Sequence, residues 1–277
     1  MQDPIKSSRI KGIKIIHDEP LEFIEEYDDE KNHRNGFCLK IWKDGRKFKG
    51  YYLNNRINGW AILKRYPYYI KGYFCNDILN GYGEYVDYKD KTKQKGYWKD
   101  GQLGGIGIEI GSDYKYFGCF INKVKNGYGK QIWMDNEVYE GSYEDNQFNG
   151  YGIYHFKNGN KYIGQWKNNK KCGFGEQNFI DGKKFMGFFK EDKKDGFGIY
   201  RLSEDNFTLN FWKEGKRDGL GKYIKGNHIK FSIWKENKII ENINEDEFMQ
   251  KLIRIKKNYL SLFKWGINEI NKFMNNK

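Results

Sequence analysis

The residue types that most often carry out catalysis or bind metals are few in this chain and far apart. The histidines are His17, His33, His155 and His228, and the cysteines are Cys38, Cys75, Cys119 and Cys172. They form no CxxC pair and no group at metal-ligand spacing. Adjacent carboxylates occur at Glu25 and Glu26, but no pattern places them in a cleft. Phosphate-binding GxxxxGKS or GxxxxGKT, HExxH and GxSxG sequences are missing. We therefore expect no enzyme activity, no cofactor and no bound metal.

Gly-x-Gly sequences are abundant, but they belong to a repeat and not to a nucleotide-binding loop. The first glycine recurs at intervals of 22 to 24 residues, at Gly36, Gly59, Gly81, Gly105, Gly127, Gly150, Gly173, Gly196 and Gly219. The next residue is apolar in every copy, and the third is glycine except at Cys38 and Ala61. A fixed period of this length indicates a repeat architecture. Because the glycines do not open a helix, they do not form a dinucleotide loop.

A single copy has the pattern of a β-hairpin. Residues Tyr162–Trp166 alternate with period two, Asn168 and Asn169 follow, and a second alternating segment runs over 172–179. Asn, Asp and Gly tolerate the positive φ that tight hairpin turns require. The sequence therefore predicts a mainly β fold, an elongated single-sheet antiparallel meander of about nine 23-residue hairpins.

Each 23-residue unit opens with another glycine, called here the leading glycine, as at Gly141, Gly164 and Gly187; Asn210 replaces it in the following unit. An aromatic residue stands two places after this position. These residues, named here the ladder residues, are Tyr52, Phe74, Trp98, Phe120, Tyr143, Trp166, Phe189, Trp212 and Trp234. Glycine in a strand has no side chain to pack, and a neighbouring ring can cover its bare backbone. We expect the ladder residues to lie over the glycines as one row on one face, and each ring to bury ~150–250 Å².

The chain divides into three predicted segments. Residues 1–26 precede the clear repeat and are expected to cap the array or to dock a partner. Residues 27–240 hold the repeats. Residues 241–277 change character: Asn244 is a good N-cap, and Phe248, Leu252, Ile255 and Tyr259 recur at helical spacing. This pattern predicts an amphipathic, basic helix of about 25–30 residues that could bend at Gly266.

Composition limits the class of protein. The net charge of +13 favours acidic partners, although the lysines are spread over every repeat, as on a solvated surface. The amino end lacks the apolar core of a signal peptide, and no apolar run approaches the ~20 residues of a membrane span. We expect a soluble, cytoplasmic protein. Nucleic acid is a disfavoured partner because the basic residues form no single patch.

The repeat resembles that of a known family. The run Tyr162-x-Gly164-x-Trp166 followed by Gly173-Phe174-Gly175, at a period of 23 residues, is similar to the MORN (membrane occupation and recognition nexus) repeat, and the resemblance covers about residues 27–240. The family prefers glycine at the first turn, where this chain has it only at Gly101 and Gly215. The resemblance implies a β-hairpin array in a cytoskeletal assembly, since MORN proteins are found in ciliary radial spokes, basal bodies and the cell cortex of protists.

Two functions are compatible with these observations. The first is a non-catalytic scaffold that binds protein partners in a cytoskeletal assembly, ciliary (axonemal, radial-spoke-like) or cortical, with association between copies also open. Its candidate contact residues are Trp98, Tyr151, Trp166 and Trp212 on the array and Leu252, Ile255 and Tyr259 on the terminal helix. The alternative is a peripheral module that tethers to anionic phospholipid through Lys251, Arg254, Lys256, Lys257 and Lys264. A third reading of the helix is a cover over the last hairpin.

Overall fold

The protein is built from antiparallel strands joined by tight turns, in a computed structural model that describes residues 13–18, 21–28, 33–255, 261, 264–266 and 268. The chain divides into two compact units, Met1–Met134 and Asp135–Lys277. The mainly β fold and the antiparallel meander predicted from the repeat are confirmed. The division into cap, array and terminal segment stays a prediction.

The first unit is a meander in which each strand pairs with the next one along the chain. Its strands are β1 (Ile13–Asp18), β2 (Leu21–Asp28), β3 (His33–Ile41), β4 (Lys47–Leu53), β5 (Arg56–Arg65), β6 (Tyr68–Cys75), β7 (Ile78–Asp87), β8 (Thr92–Lys99), β9 (Gln102–Ile110), β10 (Tyr114–Ile121) and β11 (Val124–Trp133). The hairpin β1–β2 shows that the residues before the clear repeat already form antiparallel strands.

The second unit has the same construction and ends in a short helix. Its elements are β12 (Val138–Glu144), β13 (Gln147–His155), β14 (Lys161–Lys167), β15 (Lys170–Asn178), β16 (Lys184–Lys190), β17 (Lys193–Arg201), β18 (Asn206–Lys213), β19 (Lys216–Lys225), β20 (His228–Lys235), β21 (Lys238–Ile243) and α1 (Glu245–Arg254).

The turn residues adopt the conformation that their types predict. Asn54 and Asn55 have φ of 50° and 65°, and Asn168 and Asn169 have φ of 50° and 64°. Two successive positive φ values define the type I′ turn, whose twist matches that of the flanking strands. Lys123 takes the same conformation with φ of 67°, so this backbone tolerates even a lysine here.

The two positions of each Gly-x-Gly pair require glycine for different structural reasons. The first lies opposite a β-bulge and has positive φ: Gly150 has φ of 97°, and a Cβ there would be 3.1 Å from the Cβ of Ser142. From Gly129 onward the second lies under an aromatic ring: a Cβ on Gly175 would be 2.4 Å from the Oη of Tyr162. In the first unit Leu79 and Leu103 take the place of the ring at Gly83 and Gly107. A side chain is therefore excluded by backbone strain at the first site and by packing at the second.

From Gly118 to Gly198, the ring that covers the paired glycines of neighbouring strands is not the one expected. It belongs to the residue two places before the leading glycine, at Tyr116, Tyr139, Tyr162 and Phe185, all fully buried. The prediction that the ladder residues do this is wrong at these glycines, because the residue two places before the leading glycine shares its face of the strand and its ring fills the space above it. Ladder residues contact other glycines: a Cβ on Gly221 would be 2.5 Å from Trp234 Nε1, and one on Gly107 would be 3.2 Å from Phe120 Cδ2. In the second unit the two sets alternate in edge-on contact, with Tyr162 5.1 Å from both Trp166 and Phe189. Such pairs contribute about 0.5–1.5 kcal/mol beyond burial.

Each meander has two faces that alternate along every strand. We call the face that carries the ladder residues the ladder face. We call the opposite one the tyrosine face; it carries the residue between the two glycines of each repeat and its cross-strand partner, as in the pairs Tyr82–Tyr97 and Phe197–Phe211. These two faces position all the candidate contact residues.

Candidate binding surfaces

The ladder face buries most of its rings within the protein. Trp98 and Trp166 are each 5% exposed, and their indole Nε1 atoms donate hydrogen bonds to the carbonyl oxygens of Gly83 (3.1 Å) and Gly152 (3.3 Å). The expectation that these two tryptophans form an exposed contact face is therefore wrong. Trp212 is half-buried on the same face, whereas Tyr151 lies on the opposite face and is 59% exposed.

The tyrosine face of the first unit exposes a row of large apolar side chains. Its members are Tyr51, Tyr73, Tyr82, Tyr97, Ile106, Phe117 and Tyr128, of which Tyr97 is 64% and Ile106 76% exposed. Cross-strand neighbours pair edge-on, with ring centroids 5.3 Å apart for Tyr82 and Tyr97. Exposed apolar side chains that recur on one face mark an interaction surface more often than scattered ones do.

Lysines lie between these rings. The Lys71 Nζ is 5.9 Å from the ring centre of Trp60, and the Lys95 Nζ is 5.8 Å from that of Tyr82. Lys93 forms an ion pair with Glu84 at 2.7 Å. The tyrosine face of the first unit thus combines aromatic area with positive charge.

In the second unit the carboxyl-terminal segment covers part of the same face. Phe248 and Leu252 of α1 are fully buried against Phe197, Leu209, Leu220, Ile224 and Ile243. Further along, the Trp265 ring lies 5.4 Å from that of Phe174, and Gly266 abuts Phe197. Phe197 is consequently 1% exposed, although its equivalent in the preceding repeats, Tyr151, faces solvent.

The terminal helix is shorter than predicted. The side chain of Asn244 accepts a hydrogen bond from the Glu247 N–H at 2.9 Å, which confirms the N-cap. The helix ends at Arg254, because Ile255 has an extended backbone with φ of −81° and ψ of 112°. A single helix of about 25–30 residues is therefore wrong for this segment. Beyond this break, the Trp265 ring lies against Phe174 on the tyrosine face.

The predicted residues of this segment have different environments. Leu252 is fully buried in the core and Ile255 packs partly against it, so these two side chains are not free contact residues. Lys251 pairs with Glu247 at 3.3 Å, and Arg254 and Lys264 are exposed. Tyr259, Lys256 and Lys257 lie outside the described residues.

A row of cations on the ladder face of the second unit was not predicted. Lys171, Lys194 and Arg217 are spaced 23 residues apart, and each pairs across the hairpin with a ladder residue. The Lys194 Nζ lies 4.3 Å from the ring centre of Phe185, 4.5 Å from Tyr200 and 4.7 Å from Trp212. Burial, with Arg217 and Lys171 nearby, lowers the pKa of Lys194 to about 8. The spacing was visible in the sequence once the repeats were aligned on their turns.

A polar cluster in the first unit holds further groups whose pKa is shifted. Burial opposes ionisation of Glu109, but hydrogen bonds from Tyr114 (2.6 Å) and Gln94 (2.7 Å) and the charge of Lys125 outweigh it, so its pKa is lowered. The Lys125 Nζ lies 3.3 Å from Glu109 and 3.0 Å from Gln131. Because the members satisfy one another, this cluster is structural.

Two searches of the described residues were negative. No group of three or more His, Cys, Asp or Glu side chains there is arranged to hold a metal ion. Within the same part of the chain, no helix combines the length and apolarity that crossing a bilayer demands.

Comparison with known proteins identifies the repeat. The sequence model of the MORN repeat matches six consecutive segments, residues 95–115, 116–138, 139–161, 162–184, 185–205 and 211–229. This is a MORN-repeat protein. MORN repeats form modules that bind proteins or membranes, and MORN-repeat proteins are generally non-catalytic.

Comparison over the whole chain adds little to this assignment. No curated protein matched this MORN-repeat chain. The solved structures that match include the TCP domain of SAS-4 (dCPAP) of Drosophila melanogaster, in complex with a proline-rich motif of Ana2 (dSTIL). The identity is 15% over 77% of this chain and 98% of that chain, with a TM-score of 0.19.

Proposed function

We propose that this MORN-repeat protein is a non-catalytic scaffold that binds protein partners through the tyrosine face. The observation that carries the proposal is the different burial of equivalent positions on that face. Tyr151 is 59% exposed, whereas Phe197, two repeats later, is 1% exposed because the chain's own carboxyl-terminal segment covers it. The tyrosine face of the second unit thus packs against an apolar helix, and the tyrosine face of the first unit is exposed.

The composition of this face suits protein recognition. Tyrosine supplies a large, rigid contact area and is enriched at interfaces. One contact repeated every two strands also adds avidity, since each further contact forms at a high effective concentration once the first is made.

The setting we propose is a cytoskeletal assembly, in a cilium or axoneme or at the cell cortex. Its support is the MORN repeat, which is shared with proteins of such assemblies. Association between copies of the chain is a further use of the same face.

The test is proximity labelling in the native cell with a triple variant, Tyr73→Ser, Tyr97→Ser and Tyr128→Ser. We expect the labelling of neighbouring proteins to fall about tenfold or more, because a few aromatic residues dominate the binding energy of a typical interface. The matched control is Tyr66→Ser, Tyr68→Ser and Tyr88→Ser, which removes three other exposed tyrosines of the same unit. Unchanged neighbours in the first variant, with an unchanged thermal transition, would refute the proposal.

The lysines of the tyrosine face favour a second candidate, a module that tethers to anionic phospholipid. Lys95 lies beside the exposed Tyr82 ring and Lys71 beside the half-buried Trp60 ring, and aromatic side chains with lysines suit the headgroup region of a membrane. Co-sedimentation with phosphoinositide vesicles across a salt series tests it. Binding that weakens markedly as salt rises supports the candidate, and no binding at low salt rules it out.

A further inference from the structure

The cation row of Lys171, Lys194 and Arg217 lies on the ladder face, opposite the surface of the proposed function. All three are partly buried among rings: the Lys171 Nζ lies 5.4 Å from the ring centres of Phe156 and Tyr162, and the Arg217 Cζ lies 4.7 Å from that of Trp234. The charges that act most strongly on Lys194 are the two other cations of the row. Like charges are thus brought together on an aromatic surface.

Folding does not require a cation at these positions. The equivalent residues of the first unit are Leu79 and Leu103, which pair with Phe74 and Trp98 in the same way and are almost fully buried. Leucine therefore fits this site, and it avoids the cost of desolvating a charge. A residue type that lowers stability and nevertheless recurs in consecutive repeats is typical of a functional surface.

Lys125 shows what a purely structural lysine looks like at the same position. Its ammonium is 3.3 Å from the Glu109 carboxylate on β9 and 3.0 Å from the Gln131 amide oxygen on β11, the strand of Lys125 itself. Among the residues that the structure describes, no carboxylate forms such an ion pair with the row in the second unit. The acidic group that acts on Lys171 is Asp192, whose Oδ1 already accepts a hydrogen bond from the Lys171 backbone N–H at 2.9 Å.

The distance between successive cations of the row favours one secondary structure in a binding partner. Equivalent residues of successive repeats are two strands apart, about 9.6 Å. Residues seven apart on an α-helix are about 10.5 Å apart and drift by only about 20° around its axis. Alternate residues of an extended strand are about 6.8 Å apart and do not match.

We propose that the ladder face of the second unit binds an acidic α-helix of a partner protein, with carboxylates at positions i, i+7 and i+14 on Lys171, Lys194 and Arg217. The ring edges between the cations provide apolar contact along the helix. Because the site is on the other face, this proposal holds or fails independently of the proposed function.

The experiment uses the full chain and a labelled 22-residue peptide of Ala, Gln and Leu with glutamates at positions 4, 11 and 18, followed by fluorescence anisotropy at low salt. A control peptide of the same composition has glutamates at positions 4, 10 and 16, which point to three sides of the helix. We expect the first peptide to bind at least tenfold more tightly than the control.

Substitution of the row provides the second arm. Lys194→Leu should weaken the first peptide about tenfold, as expected for removal of one charge-assisted contact. The exposed neighbour Lys193→Leu should leave binding unchanged while removing the same net charge. Far-UV circular dichroism and a thermal scan on each variant establish that it is folded.

Three results would overturn the proposal. The first is equal binding of the two peptides, which indicates general electrostatic attraction. The second is equal loss in the Lys194 and Lys193 variants. The third is binding to phosphoinositide vesicles that depends on Lys194 while neither peptide binds, which indicates a lipid and not a helix as the ligand of the row.

Discussion

Replacing Lys194 by leucine should stabilise the second unit. The Lys194 ammonium is largely buried among Phe185, Tyr200 and Trp212, and its pKa is lowered from 10.5 to about 8. At 1.36 kcal/mol per pKa unit, the charge would cost at most about 3 kcal/mol at neutral pH. Because the side chain is partly exposed, solvent screening reduces this figure, and we expect Lys194→Leu to gain about 1–2 kcal/mol.

The direction in which the free energy of unfolding changes with pH follows from this lowered pKa. Between pH 8 and 10.5 the unfolded chain holds the Lys194 proton and the folded protein does not, so stability rises with pH there. The full cost is present below pH 8 and disappears near pH 10.5. The advantage of the leucine variant should therefore be constant up to about pH 8 and shrink above it.

Urea unfolding followed by tryptophan fluorescence at pH 7 and pH 10 measures both quantities. Lys193→Leu is the matched control because Lys193 is the exposed neighbour. A leucine variant that is less stable than the parent at pH 7 would refute the reasoning, since it would show that ring contacts stabilise the ammonium more than burial costs.

Three further predictions concern packing. Gly175→Ala should destabilise by about 2 kcal/mol or more in urea unfolding, because its Cβ would lie 2.4 Å from Tyr162 Oη, whereas Gly104→Ala has open space and should cost little; equal effects would contradict the ring-over-glycine packing. Tyr162→Phe should cost only about 1 kcal/mol by the same measurement, since it loses one hydrogen bond to the Gln165 carbonyl and phenylalanine occupies the equivalent position at Phe185; a loss as large as that of Tyr162→Ala would contradict this. Leu252→Ala should cost about 2–5 kcal/mol and raise amide exchange in α1, because Leu252 is fully buried; an unchanged transition would show that the segment does not contribute to the core.

The hairpin repeat was predictable because its evidence is local. Asn168 and Asn169 specify a tight turn by their own backbone preferences, and the period two of Tyr162–Trp166 specifies a strand. The fold class followed from adding such units together. None of these steps depends on knowing which face is buried.

Burial was not predictable from alternation because both faces of the meander carry aromatic residues. Trp98 and Tyr97 are adjacent, yet one is 5% and the other 64% exposed. The difference depends on the rings of neighbouring repeats that surround each site. The helix length was missed for a similar reason: apolar spacing continues beyond Ile255 in the sequence, but the extended backbone of Ile255 ends the helix where Phe248 and Leu252 have packed against the sheet.

The carboxyl-terminal segment determines how many contact sites the tyrosine face of the second unit offers to a partner. Tyr151 is exposed, Phe174 is already in contact with Trp265, and Phe197 is sealed under the segment. A partner that advances along the tyrosine face of this unit therefore loses contact sites where the protein's own tail begins. Lifting the tail would add sites without any change in the repeats, so the number of contacts is adjustable by a single segment.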